Sequence, residues 1–321
     1  MVASTTPTRF IGCDVGKASI VVFDSRDGRT RTIANRPDTL KALAAEFDAS
    51  CLLVCEATGG HESLVLAAAL EAGCPAHRAD ARKVKAFIRS FGILGKTDAI
   101  DARALAAYGQ ERHARLVRWQ ARDPQRERLQ TLVLTRCDLV AQKVAVDNRC
   151  SAPGAEPVKP YLTTLHDCLE QQIRAIEAEV EALIGASHSL RQAAKTLRSI
   201  AGVGPKTAAA LLALMPELGT LNRRQAAALA GLAPHPDQSG KRDGYRRTKG
   251  GRPEVKRILF MAAMSAAKHN QTLAAVYKRL VEAGKKPLTA LTALMRKIIV
   301  IANARLRETQ NQDDKTSLQL S

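Results

Sequence analysis

Four acidic residues occupy positions from which a metal site can be built: Asp14 in IGCDVGK, Glu56 in CLLVCEATGG, and Asp98 and Asp101 in GKTDAIDARALA. Asp14 closes one apolar run and Glu56 closes another, so each stands at the end of a predicted strand. Asp98 and Asp101 lie three apart at the start of a predicted helix and therefore share a face. Singly, each has a plain explanation: a turn former, a satisfied charge, an acidic first turn favoured by the helix dipole. Taken together, two strand-end carboxylates converging with two from a helix would repel one another unless a divalent cation neutralised them. Hard oxygen ligands suit Mg²⁺ or Mn²⁺. Two such ions roughly 3.5–4 Å apart activate a nucleophile and stabilise a leaving oxygen at phosphorus. The chemistry in view is phosphodiester cleavage.

Charge supports a polyanionic substrate. The 321 residues carry 49 Lys and Arg against 31 Asp and Glu, a net charge of +18, which points to nucleic acid. Apolar residues make up 45% and exclude wholesale disorder, while 3% aromatics are too few for a base-stacking platform. Seven cysteines, without CxxC spacing or nearby histidine partners, read as reduced core residues and not as a zinc site. The opening MVASTTPTRF lacks the apolar stretch of a secretory signal, and no run approaches the ~18 apolar residues of a membrane span. The expectation is a cytoplasmic protein with no membrane partner.

The acids need a sheet to hold them. RFIGCDVGKASIVVFD (9–24) reads as two strands around a tight turn, and RTRTIAN (29–35) as a third. Residues 38–48 have the apolar spacing of a helix, and CLLVCEA (51–57) is a strand buried on both faces. A helix over 61–72, a weak strand near 75–79 and a basic helix over 81–91 follow. This is an α/β domain with a mixed sheet, placed at residues 8–118. Amphipathic stretches at 126–148 and 162–184, split by the proline-rich SAPGAEPVKPY (151–161), make 119–198 a helical segment. A helical hairpin within the chain and an intermolecular coiled coil both fit it. Residues 199–308 form a mostly helical, basic third unit, and 309–321 a polar tail expected to be disordered.

Within the third unit, residues 235–308 hold 17 Lys and Arg against 5 acids. GVGPKT (202–207) reads either as the turn of a helix-hairpin-helix, with Gly202 and Gly204 letting amides approach phosphate, or as a plain glycine-capped helix turn. PHPDQSGKRDGYRRTKGG reads as a solvated basic loop in which Ser239 assists the turn with Gly240. His235, four residues earlier, reads as a solvated loop histidine. The candidate phosphate contacts are Lys17, Lys83, Lys96, Lys206, Lys241, Arg242, Arg246, Arg247, Lys249, Arg252 and Lys256.

The run IGCDVGK, VCEATGG, GKTDAIDARALA, followed by RSIAGVGPKTAAALLALM and GLAPHPDQSGKRDGYRRTKGGRPEVKRILFMAAMSA, resembles the DEDD-type transposases of the insertion sequence 110 family. Nearly the whole chain is covered, in order. One departure is His61, where the family usually has an aromatic shortly after EATG. The resemblance implies a RuvC-like (RNase H-like) first domain with Asp14, Glu56, Asp98 and Asp101 as metal ligands. It implies a helical oligomerisation segment and a helix-hairpin-helix-like element. It implies Ser239 as the nucleophile of a covalent DNA intermediate, in a homo-oligomer, dimer or tetramer, whose site combines residues from different subunits. It also implies a structured noncoding guide RNA that pairs with donor and target DNA, leaving the protein to read backbone shape, with action at a prokaryotic nucleoid. The alternatives are a site-specific DNA invertase of the same superfamily, a RuvC-type nuclease using metal alone, and a catalytically inactive nucleic-acid-binding protein.

Overall fold

The short Ile- and Val-rich runs of the first hundred residues do form strands. In the computed structural model, residues 6–92, 95, 97–121, 123–239 and 242–319 are described, with side chains for all of these except 237, 239, 242–245 and 313–319. The chain divides into two units, Met1–Arg122 and Asp123–Ser321.

The first unit holds strands β1 (Arg9–Val15), β2 (Ser19–Asp24), β3 (Thr30–Ala34), β4 (Cys51–Glu56) and β5 (Ala76–Ala79), and helices α1 (Pro37–Ala44), α2 (Ser63–Glu71), α3 (Ala81–Ser90) and α4 (Asp98–Arg112). The sheet order is β3-β2-β1-β4-β5. The β1–β2 and β2–β3 pairs are antiparallel, whereas β1–β4 and β4–β5 are parallel, so the sheet is mixed as expected. Successive residues of a strand face opposite sides. Ile11, Cys13, Val15, Leu53 and Cys55 pack with Leu40, Leu43, Val65 and Leu66 on the α1–α2 side. Phe10, Leu52 and Val54 pack with Val84, Phe87, Leu105 and Tyr108 on the α3–α4 side. Burial on both faces explains why CLLVCE is an unbroken apolar run.

The second unit comprises α5 (Pro124–Cys150), α6 (Lys159–Ala186), α7 (His188–Arg198), α8 (Pro205–Leu214), α9 (Arg223–Leu229), a two-stranded sheet of β6 (Pro234–Ser239) and β7 (Arg242–Thr248), then α10 (Pro253–His269), α11 (Gln271–Glu282) and α12 (Pro287–Gln319). Helices α5 and α6 pack on each other within the chain, the hairpin alternative, and Arg128–Glu179 and Arg136–Glu177 ion pairs bridge them.

Four expectations change. The segments 119–198 and 199–308 are not separate, because one apolar core runs from Leu129 and Val133 of α5 through α8 and α10 to Leu306 of α12. The basic segments 234–239 and 242–248 are paired antiparallel strands and not loop; their pairing is carried by backbone groups, so no apolar alternation announces it. The polar tail from Thr309 continues α12 to Gln319, since extending a packed helix costs far less than starting one. Finally, Pro287–Gln312 is long and apolar enough to cross a membrane by length and composition alone. It is a core helix: Leu294, Met295, Ile298, Ile299 and Ala302 are buried against the other helices of the unit.

Candidate active site

The acids of the first unit are placed by the contact of α4 with the sheet. Gly12 of β1 lies directly beneath α4: a Cβ there would meet the Ala102 carbonyl oxygen at 1.8 Å and the Ala106 nitrogen at 2.7 Å. Gly109, two turns further along α4, lies over Val54, Phe10 and Leu52. The helix therefore runs against the direction of β1. Two residues beyond Gly12 stands Asp14, and one turn before Ala102 stands Asp98. Both steps cover about 6–7 Å, from the rises of strand and helix, so Asp98 and Asp14 reach the same level of the sheet. In the β1–β4 register Cys13 pairs with Cys55, so Asp14 and Glu56 follow side by side. By alternation, Glu56 shares the α4 face with Leu52 and Val54, and Asp14 shares it with Phe10 and Gly12.

Asp14 and Glu56 thus share one sheet face, and α4 begins with Asp98 and Asp101 at the same end of that sheet. Asp14, Glu56 and Asp101 are half-buried and Asp98 is exposed. Among the described residues, no three carboxylate, imidazole or thiol groups are drawn close enough together to hold a metal ion. The donor set itself, four hard carboxylates and no thiolate or imidazole, fits a divalent cation of the Mg²⁺ class.

Two further residues brace this end of the sheet, and sequence patterning gave no hint of them. Glu62 is buried. Its Oε2 accepts hydrogen bonds from the Thr58 amide (3.1 Å), the Thr58 hydroxyl (3.2 Å) and the Gly60 amide (2.9 Å), and its Oε1 faces Arg78 Nη1 at 3.3 Å. Burial alone would raise its pKa, but amide donation from Glu62 itself, Thr58 and Gly60 outweighs this and holds it below the ordinary value. Asn35 Nδ2 donates to the Gly16 carbonyl (3.0 Å) and to the His61 carbonyl (3.1 Å). It thereby ties the turn after Asp14 to the loop after Glu56. His61 is exposed and takes part through its backbone.

The second unit treats its candidate residues unequally. Ser239 ends β6 and pairs with Arg242 of β7, at the tip of the hairpin. The side chains of Ser239 and Arg242 lie outside the described residues, as do Lys96 and Lys241 altogether. Arg246, Arg247 and Lys249 are exposed, as are Lys17 and Lys83 in the first unit. Lys206 pairs with Glu177 at 2.7 Å and Lys256 Nζ donates to Thr248 Oγ1 at 3.2 Å. Arg252, expected to contact phosphate, instead grips Glu217 and the Leu214 carbonyl. Gly202 has φ +84° and abuts α10, where a Cβ would lie 2.5 Å from the Ala262 carbonyl. Its role is close packing. Gly204, the residue before α8, has open space around it.

Comparison with known proteins defines the class. Residues 11–152 match the DEDD transposase model of IS110, and residues 194–278 match the model described as transposase IS116/IS110/IS902 family. The chain is therefore a transposase-type enzyme that cuts and rejoins DNA. It belongs to the IS110 family. It is 27% identical over 282 residues to the pilin gene-inverting protein of Moraxella lacunata, covering 86% of this chain and 87% of that protein. It is 33% identical over 196 residues to a 43.6 kDa protein of insertion element IS110 from Streptomyces coelicolor, covering 57% of this chain and 47% of that protein. The DEDD class implies use of a divalent metal ion.

Proposed function

We propose that the chain cuts and religates DNA through an intermediate in which Ser239 is joined to a DNA end. In this reading the first domain is RuvC-like, and Asp14, Glu56, Asp98 and Asp101 hold Mg²⁺ or Mn²⁺. What supports the reading is that Asp14 and Glu56 end adjacent strands on the face that α4 covers, while Asp98 and Asp101 lie in the first turn of α4, which begins at that end of the sheet. A bound divalent ion supplies charge neutralisation at phosphorus. The Ser239 oxygen forms a bond to phosphorus as the bond to the leaving sugar oxygen breaks, and that oxygen takes the proton. Religation reverses the step with a new sugar hydroxyl, so the phosphodiester energy is conserved. Cations of the hairpin, Arg246 and Arg247 among them, offset the charge on the attacked phosphate.

As the family resemblance implies, a structured noncoding RNA pairs with donor and target DNA, and the protein works as a dimer or tetramer in the cytoplasm, on the nucleoid. A net +18 with only 3% aromatics suits a protein that grips backbones and leaves base choice to pairing. Inversion of a DNA segment is the second reading, supported by the match along 87% of the Moraxella pilin gene-inverting protein. The test is a denaturing gel of protein incubated with labelled donor and target DNA, Mg²⁺ and the RNA that copurifies with it. The native protein should give a slow, protease-sensitive DNA band. Ser239→Ala should bind nucleic acid normally and give neither cleavage nor the band. Undiminished cleavage by Ser239→Ala would replace this reading with a nuclease that uses metal and water.

A further inference from the structure

We propose that Arg252 and Glu217 are positioning residues that clamp the base of the β6–β7 hairpin and so aim Ser239. The inference rests on the reading of Ser239 as nucleophile. It begins with how the hairpin is attached. Gly231, before β6, and Gly251, after β7, have φ of +68° and +74°, and a Cβ on Gly251 would lie 2.1 Å from the Gly231 nitrogen. The two ends of the hairpin therefore cross backbone to backbone. The Arg252 amide adds a bond to the Leu229 carbonyl at 2.9 Å.

Glycines allow this crossing but do not fix its angle. The Arg252 side chain does: Nη1 donates to the Leu214 carbonyl (2.5 Å) and to Glu217 Oε2 (2.8 Å), while Nη2 donates to Glu217 Oε1 (2.6 Å). This two-pronged geometry fixes direction as well as distance. The loop that carries Glu217 is itself immobilised on α12. Asn303 accepts from the Gly219 amide (2.9 Å) and donates to the Leu221 carbonyl (2.6 Å), and Arg307 Nε donates to the Gly219 carbonyl (2.9 Å). Bonds thus run from α12 to the loop that carries Glu217, and from Glu217 to Arg252, the residue that joins the end of the hairpin to α10.

The lever makes the clamp matter. From Pro234 at the base to Ser239 at the tip is about 17 Å at 3.3 Å per residue, so a tilt of about 3–4° at the base moves the tip by about 1 Å. A displacement of that size costs about 10²-fold in rate. Arg252 therefore acts on the reaction through Ser239, without holding a phosphate.

The experiment uses the full chain with Arg252→Lys, Arg252→Gln, Glu217→Gln and the double Arg252→Gln/Glu217→Gln. Lysine keeps the charge and loses the fork. At saturating DNA, each single variant should form the covalent adduct about 10²-fold more slowly. The double should be no slower than either single, because both remove one clamp. Nucleic-acid affinity and its salt slope should stay at native values, and amides of β6 and β7 should exchange hydrogen faster in all variants. Native adduct rates in Arg252→Lys and Glu217→Gln would overturn the proposal. So would a drop of about one in the log–log salt slope confined to Arg252→Gln, the mark of a lost phosphate contact. Should Ser239→Ala still cleave, the nucleophile reading fails separately, and unchanged hairpin exchange in the clamp variants would still refute the clamp.

Discussion

Replacing Gly12 by alanine tests the geometry on which the acid site depends. The added Cβ would sit 1.8 Å from the Ala102 carbonyl oxygen, where side-chain carbons keep at least 3.0 Å, and 2.7 Å from the Ala106 nitrogen. Both obstacles are backbone, so no rotamer change relieves them, and α4 must lift by about 1.2 Å over β1. Overpacking of this kind costs about 3 kcal/mol, at the upper end of its usual range. For a unit of this size that lowers the midpoint of thermal unfolding by about 10 °C. The helix that lifts carries Asp98 and Asp101 in its first turn, so strand transfer should fall by about 10²-fold even where the protein is fully folded. Gly109→Ala is the control: its Cβ would meet the Val54 Cγ2 methyl at 2.8 Å, a side-chain atom, at the far end of α4. Alanine there also gains about 1 kcal/mol of helix propensity, so the net effect should be within about 1 kcal/mol. Thermal unfolding by circular dichroism and a strand-transfer assay on both variants decide the matter. A Gly12→Ala protein with native stability and native activity would refute the close approach of α4 to β1, and with it the common placement of the acids.

Two further outcomes are expected. Glu62 has a folded pKa below its ordinary 4.5, so it contributes stability that is present above that pH and lost as pH falls through the depressed folded value; Glu62→Gln should be less stable at pH 7 and should show a flatter loss of stability below pH 4.5, read by acid unfolding of both proteins. Burial pushes the Cys74 thiol up to about 12, and Cys13 and Cys55 are raised likewise, whereas Cys168 is exposed; a thiol reagent at pH 8 should label Cys168 in the native protein and reach Cys13, Cys55 and Cys74 only after denaturation, as peptide mapping would show.

What could be read in the residues followed from burial. The runs IGCDV and CLLVCE announced β1 and β4 because both faces of those strands are covered, and the strand-end positions of Asp14 and Glu56 came with them. Asp98 and Asp101 were legible through a helix start, which the structure places with Thr97 as cap. The hairpin bearing Ser239 was illegible because PHPDQS and RDGYRRT have no apolar face to alternate. Glu62 was illegible for a different reason: its partners are amides of its own loop, and a carboxylate that stabilises a turn has no periodicity. The packing of Gly202 against α10 is not legible because a glycine that admits a phosphate and one that admits a neighbouring helix look alike in a sequence.

The same ambiguity governs the cations, and the strength of their contacts within the protein ranks them. An excess of positive charge counts residues, not contacts. Lys206 meets Glu177, but its side chain is 63% exposed and Arg136 already serves that carboxylate at 2.8 Å. An exposed lysine pair is worth about 0–1 kcal/mol, so leaving Glu177 would cost Lys206 little. Arg252 differs in kind. It makes a fork to Glu217 plus a carbonyl bond, and drawing it to a phosphate would break three charge-assisted bonds to form at most two. Two cations equal in the charge count thus divide into one weakly held by its partner and one committed to the frame. The exposed Arg246, Arg247 and Lys249 have no such commitment among the described residues, so the proposed function assigns the phosphate contacts of the hairpin to them first.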